Sequence, residues 1–309
     1  MIDDFRHLRA NIAMGRLSQV VQGGGKRRIF AIGNYVNQRL LKPVHDWLMN
    51  LLKGIPMDGT FNQVGPLDRL VGCKVCYSFD LKAATDRWPL VFLFEVMQSL
   101  FDRSFASAVV NSALAHNVFC VPFVKKRSCC CFVAGQPLGY YSSWPLFALS
   151  HHVLMWYAAE LCYPGKLFTD YAILGDDVVI TDEVVARKYE YLVGELGVKI
   201  SYQKSLISTT GAGEFAKRFR VKGPSKDLSP ISSRMLLNSS HPLGVLALAD
   251  KYSLTWKQVM RVGGAGYRQM ATMNFRRSKR WQRSFLMLSF SRWNLTLSHF
   301  LGRGIPLNP

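Results

Sequence analysis

Two apolar runs, Tyr171-Ala172-Ile173-Leu174 and Val178-Val179-Ile180, are separated only by Gly175-Asp176-Asp177. Runs this short, joined by a Gly-Asp turn, have little room to form anything but a tight β-hairpin. That hairpin carries two adjacent carboxylates at its tip. They repel each other and gain nothing from a core, so a bound cation is the usual reason to keep them together. A solvated turn is the competing reading of the tripeptide alone.

A second acidic segment changes the balance. Residues 75–79 (Val75-Cys76-Tyr77-Ser78-Phe79) read as a buried strand with Asp80 at its end. Thr85 or Asp86 then reads as the cap of a helix bearing Trp88, Leu90, Val91, Leu93, Phe94 and Met97, with Pro89 in its first turn. If this strand lies beside the hairpin, Asp80 joins Asp176 and Asp177 at one sheet edge. Carboxylate oxygens gathered this way suit two Mg²⁺ ions, at about 2.1 Å per metal–oxygen bond and roughly 3.5–4 Å between ions. Mn²⁺ is a possible substitute. Such a pair of ions serves in-line nucleotidyl transfer. Paired-carboxylate glycosidase chemistry is the alternative use, but it explains neither the adjacent acids nor the basic segments.

The charge supports a polyanionic partner. Thirty-nine Lys and Arg against 20 Asp and Glu leave a net charge of +19 on 309 residues. Nucleic acid is the first candidate and an anionic membrane surface the second. The chain is 49% hydrophobic, enough for a sizeable core. Its seven cysteines are odd in number and include Cys129-Cys130-Cys131, so no disulfide partner is expected and a reducing setting fits better. Cys73 and Cys76 have C-x-x-C spacing but no second ligand pair, which favours core packing over a zinc site. His151-His152 is a poor ligand pair, because helix neighbours point about 100° apart. Between Arg127 and Glu160 no charged residue occurs, yet Gly, Pro, Ser and His interrupt the run too often for a membrane span. Asp3-Asp4 is atypical of a targeting peptide.

Along the chain, residues 1–22 are expected to open with a helix, followed by a Gly break and the basic cluster Lys26-Arg27-Arg28 entering a strand. Tyr35 through Leu52 has helical periodicity, as do residues 146–160 and the stretch from Val185 to Leu196, which Gly197 closes. Val198-Lys199-Ile200 reads as a short strand. From Lys217 to Lys222, Phe219 and Val221 alternate with Arg218, Arg220 and Lys222, predicting a strand with one apolar and one basic face. The fold class that follows is α+β around an antiparallel hairpin. In the tail, arginines and lysines interleave with Phe275, Trp281, Phe285, Phe290 and Trp293, a pattern suited to RNA or to an anionic membrane surface.

The ordered set Ser78-Phe79-Asp80-(x5)-Asp86, Gly135-Gln136-Pro137-Leu138-Gly139-Tyr140-Tyr141-Ser142-Ser143-Trp144, Gly175-Asp176-Asp177, Lys204-Ser205 and Glu214-Phe215-Ala216-Lys217 resembles the RNA-dependent RNA polymerases of mitoviruses. These are capsidless RNA replicons of mitochondria, and copies of their polymerase gene occur in plant genomes. The resemblance implies a right-hand polymerase: partial fingers at 1–74, a palm at 75–223 with inserted finger elements at about 101–134, and a basic helical thumb at 224–309. It implies RNA template and product, NTPs and a mitochondrial setting. It makes Asp80, Asp176 and Asp177 the metal ligands and Lys204 the proton donor to pyrophosphate. Lys26, Arg27 and Arg28 would bind the incoming triphosphate, with Asp86 and Ser143 at its ribose. The loop containing Gly135 and Gln136 would position template, and Lys217, Arg218, Arg220 and Lys222 the product strand. Phe147 stands where many RNA polymerases have an Asn of the ribose network. Two rival readings are a reverse transcriptase, against which Leu174-Gly175 argues, and a catalytically impaired RNA-binding relic of an integrated gene.

Overall fold

The computed structural model describes residues 14–21, 25–115, 117–126, 128–132, 134–239, 242–255 and 258–259. It divides the chain into two compact units, Met1–Ser229 and Pro230–Pro309. The aromatic and basic tail from residue 274 lies outside the described residues.

The first unit opens with β1 (Gly15–Val21) and β2 (Arg27–Gly33), then α1 (Tyr35–Lys53) and the short α2 (Gly65–Arg69). The expected opening helix is thus corrected over its second half: Gly15–Val21 is a strand, paired antiparallel with β2 along its whole length. Local periodicity does not reveal this, because the strand is fixed by a partner on either side. Next come β3 (Cys76–Lys82), α3 (Ala84–Arg87), α4 (Leu90–Leu100) and α5 (Arg103–Ala106). A wide π-helical segment at Ser107–Ala115 leads into β4 (Val118–Cys120) and β5 (Cys129–Cys131). These last two strands join the N-terminal pair in a four-stranded sheet of order β2-β1-β4-β5. The basic cluster at the start of β2 therefore belongs to one sheet with β4 and β5.

The helix after β3 also starts later than its sequence suggests. Thr85 and Asp86 lie inside the single turn α3, whose cap Ala83 is left-handed at φ 52°. The long helix begins after Pro89, which is itself the extended residue before α4.

After the 134–142 loop come α6 (Ser143–Cys162), β6 (Tyr171–Leu174), β7 (Asp177–Ile180) and α7 (Glu183–Glu195), and then β8 (Lys199–Ile200), β9 (Leu206–Ser208), β10 (Gly213–Phe215), β11 (Arg218–Val221) and β12 (Lys226–Asp227). The central sheet runs β6-β7-β3, with β8 and β9 both pairing with β3. Alternation explains why β6 and, after Asp177, β7 are apolar: both faces of the hairpin are covered. Tyr171, Ile173, Val178 and Ile180 face the main core with α6 and α7. Ala172 and Val179 face a second cluster with Leu67, Leu70 and Phe215. In the main core Phe147 is fully buried and packs edge-on against Trp88 at 4.9 Å between ring centroids. Burying such a phenylalanine contributes about 1.5–3 kcal/mol, which accounts for an apolar residue at this place.

α6 is anchored by polar contacts too, including a buried 2.9 Å hydrogen bond from Trp88 Nε1 to Ser150 Oγ. No helix among the described residues is long and apolar enough to cross a membrane. All seven cysteines are thiols, with Cys73 and Cys76 sulfurs 3.2 Å apart and burial raising the pKa of both. The second unit contains α8 (Ser233–Asn238), capped by Ser232, and α9 (Pro242–Lys251). Val245, Ala249 and Val259 form its small core.

Candidate functional site

The central sheet fixes where the acids meet. In the β3–β7 register, Asp80 stands directly opposite Asp177, following the pairs Tyr77–Ile180, Ser78–Val179 and Phe79–Val178. Directly opposed residues project from the same face, with Cα atoms about 4.5–5.5 Å apart. Asp80 is thus the fifth of seven strand residues, and not the last. Asp176 follows Gly175 in the two-residue turn closing β6 onto β7, where Leu174 pairs with Asp177. Gly175 has φ +60°, and a Cβ there would come within 2.3 Å of the Trp144 indole. The turn needs glycine both for its backbone angle and for this close approach.

The electrostatics are those of crowded like charges. Desolvation, then the charges of Asp176 and Asp80, push the Asp177 carboxyl up to about 6. Asp176 reaches solvent at the tip, yet partial desolvation raises its pKa, and Asp80 adds to the effect. Arg28 and Lys204 act on Asp176 in the opposite direction, so both cations lie within electrostatic reach of it.

Lys204 is delivered by the connection between β8 and β9. That connection leaves and rejoins the side of β3 at Asp80: Ser201 N–H donates to the Asp80 carbonyl at 2.8 Å, and Asp80 N–H donates to Ser205 Oγ at 3.1 Å. The Lys204 ammonium consequently stands 3.5 Å from an Asp80 carboxylate oxygen. Among the described residues, no three His, Cys, Asp or Glu side chains close around a single point; Asp80 faces its lysine instead. The donor chemistry still fits a hard divalent cation. Three carboxylates share one edge, and two of them have pKa values raised by desolvation and by their neighbours' negative charge, a repulsion that a cation would relieve.

The other sequence-predicted residues divide. Lys26, Arg27 and Arg28 are exposed at the start of β2. Asp86 is exposed on α3, and that turn is gripped by the glycine loop: Gly135 N–H donates to the Trp88 carbonyl and Gln136 N–H to that of Thr85. Gly135, at φ +73°, lies so close that a Cβ would stand 2.4 Å from the Asp86 backbone. The side chains of Gln136 and Ser143, by contrast, are buried, and their polar atoms have no hydrogen-bond partner. Neither is presented to an RNA surface in this conformation.

The strand β11 carries a further correction. Arg220, expected on a basic outer face, is turned inward at 8% exposure. It pairs with Asp68 at 2.7 Å and donates to the Pro224 carbonyl at 3.2 Å. Arg218 pairs with Asp227 at 3.3 Å. Opposite charges supplied by α2 and β12 have claimed both guanidinium groups. Lys217 and Lys222 flank the strand, exposed and at positive φ. Ala216 and Lys217, both left-handed, form the β10–β11 turn, and the Ala216 backbone acts to lower the Asp177 pKa against the larger effects that raise it.

Sequence reasoning missed the groups that hold the acids in place. His151 and His152 are fully buried, and each uses both ring nitrogens. His151 Nδ1 lies 2.7 Å from the Gly175 carbonyl and Nε2 2.6 Å from the Tyr189 hydroxyl. Burial pushes the pKa of His151 down to about 3, so the ring is neutral. A carbonyl can only accept; Nδ1–H therefore donates to Gly175, and Nε2 accepts from Tyr189 O–H. His152 contacts the Tyr171 hydroxyl at 2.9 Å and Asp58 Oδ2 at 3.1 Å. The available signal was the pair of histidines in an otherwise apolar helix.

The architecture is similar in fold to two polymerases of known structure. A Candida tropicalis telomerase superposes with a TM-score of 0.54 at 11% identity, over 89% of this chain and 61% of the other. The RNA-dependent RNA polymerase of a human picobirnavirus superposes with a TM-score of 0.50 at 14% identity, over 93% of this chain and 64% of the other. At these identities the likeness is one of fold, and the chain spans somewhat under two thirds of either structure.

Sequence comparison is more specific. The chain belongs to the mitovirus RNA-dependent RNA polymerase family, whose model matches residues 3–284. It is 37% identical over 212 residues to the RNA-directed RNA polymerase of Cryphonectria parasitica mitovirus 1, covering 67% of this chain and 25% of the viral protein. Two uncharacterized mitochondrial proteins of Arabidopsis thaliana are nearer in sequence. One is 69% identical over 156 residues, covering 50% of this chain and 76% of that protein. The other is 50% identical over 231 residues, covering 73% and 92%.

Proposed function

We propose that this chain carries the catalytic region of a right-hand RNA-dependent RNA polymerase, copying a mitovirus-like RNA in mitochondria. The observation that carries the reading is the register that opposes Asp80 to Asp177 beside Asp176, with Lys204 held at 3.5 Å. Asp80 and Asp176 are the principal ligands for divalent cations, and Asp177 is auxiliary. Bound Mg²⁺ would activate a 3′-hydroxyl and neutralise the departing pyrophosphate.

The chain's own residues supply the rest. Arg28, with Lys26 and Arg27, offers guanidinium and ammonium donors to the incoming triphosphate from the β2 side. Lys204 donates a proton to the leaving pyrophosphate oxygen, giving up its ion pair with Asp80. Asp86 accepts from the ribose 2′-hydroxyl, and the backbone grip of Gly135 on α3 fixes its height. Lys217 and Lys222 are the better candidates for the product backbone, since Arg218 and Arg220 are engaged elsewhere. Fingers, palm and thumb then correspond to about 1–74, 75–223 and 224–309. Residues 274–303 are assigned to RNA or an anionic membrane surface on composition alone.

Extension of a labelled primer on an RNA template tests the reading. NTPs and not dNTPs should be incorporated, only with Mg²⁺ or Mn²⁺, and Asp176→Asn should abolish synthesis while retaining RNA binding. Loss of binding and synthesis together would make the hairpin a folding element or the chain a binding protein. Preferential use of dNTPs would make it a reverse transcriptase.

A further inference from the structure

The carbonyl that His151 holds belongs to a particular peptide. In a two-residue hairpin turn the central peptide links the two turn residues, here Gly175 and Asp176. Rotating that unit by about 180° interconverts the II′ and I′ turn types. Gly175 has positive φ whereas Asp176 does not, the pattern of the II′ class. The I′ alternative requires a left-handed Asp176, a state that Asp tolerates better than most residues. Sequence alone therefore leaves two turn states within reach, and they aim the Asp176 side chain differently. What distinguishes them in this fold is where the Gly175 carbonyl points. It points into the core, onto His151 Nδ1 at 2.7 Å.

The histidine is itself fixed. Its second nitrogen is 2.6 Å from the Tyr189 hydroxyl on α7, and the two rings stack with centroids 5.7 Å apart. Trp88 and Phe147 enclose it, and Trp144, about two turns earlier on α6, covers Gly175. A hydrogen bond between a fully buried ring and a turn carbonyl is costly to leave unmade, and that cost favours the turn state that keeps it. At the far end of the strand His152 contacts two side chains, the Tyr171 hydroxyl and the Asp58 carboxylate. Adjacent positions on one helix thus clamp both ends of β6.

We propose that His151, backed by Tyr189, is a positioning residue that locks the Gly175–Asp176 peptide in one turn state and so holds the Asp176 carboxylate for a divalent cation. The inference rests on the cation-binding reading of the hairpin given above. It assigns no proton transfer to the histidine, which stays neutral and inside the core.

Four variants test it, with Mn²⁺ affinity measured by electron paramagnetic resonance and hairpin order by hydrogen exchange of a peptide spanning residues 174–178. An asparagine amide can take the place of Nδ1 and a glutamine amide that of Nε2. His151→Asn should therefore keep Mn²⁺ affinity within about threefold of wild type, whereas His151→Gln and His151→Phe should lose about tenfold or more, the usual range for outer-sphere partners of a metal site. Exchange at the tip should rise in the same two variants, with melting temperature tracking volume and not affinity. Tyr189→Phe should give a smaller loss in the same direction. If His151→Phe does not fold, the Asn and Gln variants decide the matter by themselves. Equal affinities for Asn and Gln would overturn the proposal, as would a loss that follows melting temperature across the series. Failure of the underlying reading looks different: wild type would bind no Mn²⁺ that Asp176→Asn abolishes, and the proposal would fall with it.

Discussion

Replacing Asp177 by Asn should make the protein more stable at neutral pH, although it damages the proposed cation site. The folded state holds the Asp177 carboxyl at about 6, against an ordinary 3.8, through desolvation and then the charges of Asp176 and Asp80. A group whose pKa is raised on folding binds more protons in the folded state, so its contribution to stability falls as pH climbs through the window between about 4 and 6. At about 1.36 kcal/mol for each pH unit, the full penalty above that window is about 3 kcal/mol. The side chain is half-buried, and solvent screening reduces this to about 1–2 kcal/mol. Asn keeps the shape and removes the charge. Urea unfolding in EDTA, at intervals from pH 4 to pH 8, is the assay. The variant should match wild type near pH 4 and exceed it by about 1–2 kcal/mol at pH 7.5. Added Mg²⁺ should narrow the gap by binding native wild type. A variant less stable than wild type at pH 7.5 in EDTA, or a difference that does not change with pH, would refute the reasoning.

Gly175→Ala should lose incorporation and about 2–4 kcal/mol of stability, because the new Cβ meets Trp144 in a left-handed turn; parallel melting and primer-extension measurements check this. Arg220→Ala should cost about 1–3 kcal/mol by breaking the pair with half-exposed Asp68, while the salt dependence of RNA binding stays as in wild type. Changing Lys217 and Lys222 together to Ala should leave stability within about 0.5 kcal/mol. It should also flatten the log–log salt slope of RNA affinity by up to about 1.4 if both touch phosphate. An unchanged slope would assign them to a solvated face.

The readable parts of the molecule were those whose pattern is local. The Gly175-Asp176 hairpin, the strand bearing Asp80 and the helices at Tyr35–Lys53 and Glu183–Glu195 follow from run length, periodicity and punctuation. The unread parts depend on partners far away in the chain. Gly15–Val21 is a strand because β2 and β4 flank it. Arg220 turns inward because Asp68, distant in sequence, meets it. Ala216-Lys217 carries none of the Asn-Gly chemistry that marks a left-handed turn, yet adopts one beneath Asp177. The adjacent histidines pack inside their helix, as its apolar surroundings suggest, but that they grip the hairpin depends on the face each presents to β6.

The central claim is that Asp80 and the Gly175-Asp176-Asp177 hairpin form one divalent-cation centre. Crystals grown with Mn²⁺ and measured at its absorption edge test it most directly. The account predicts anomalous density bound by carboxylate oxygens of both Asp80 and Asp176, with the Lys204 ammonium displaced from its 3.5 Å contact. Density elsewhere, or none at saturating Mn²⁺ while Lys204 remains on Asp80, would contradict it.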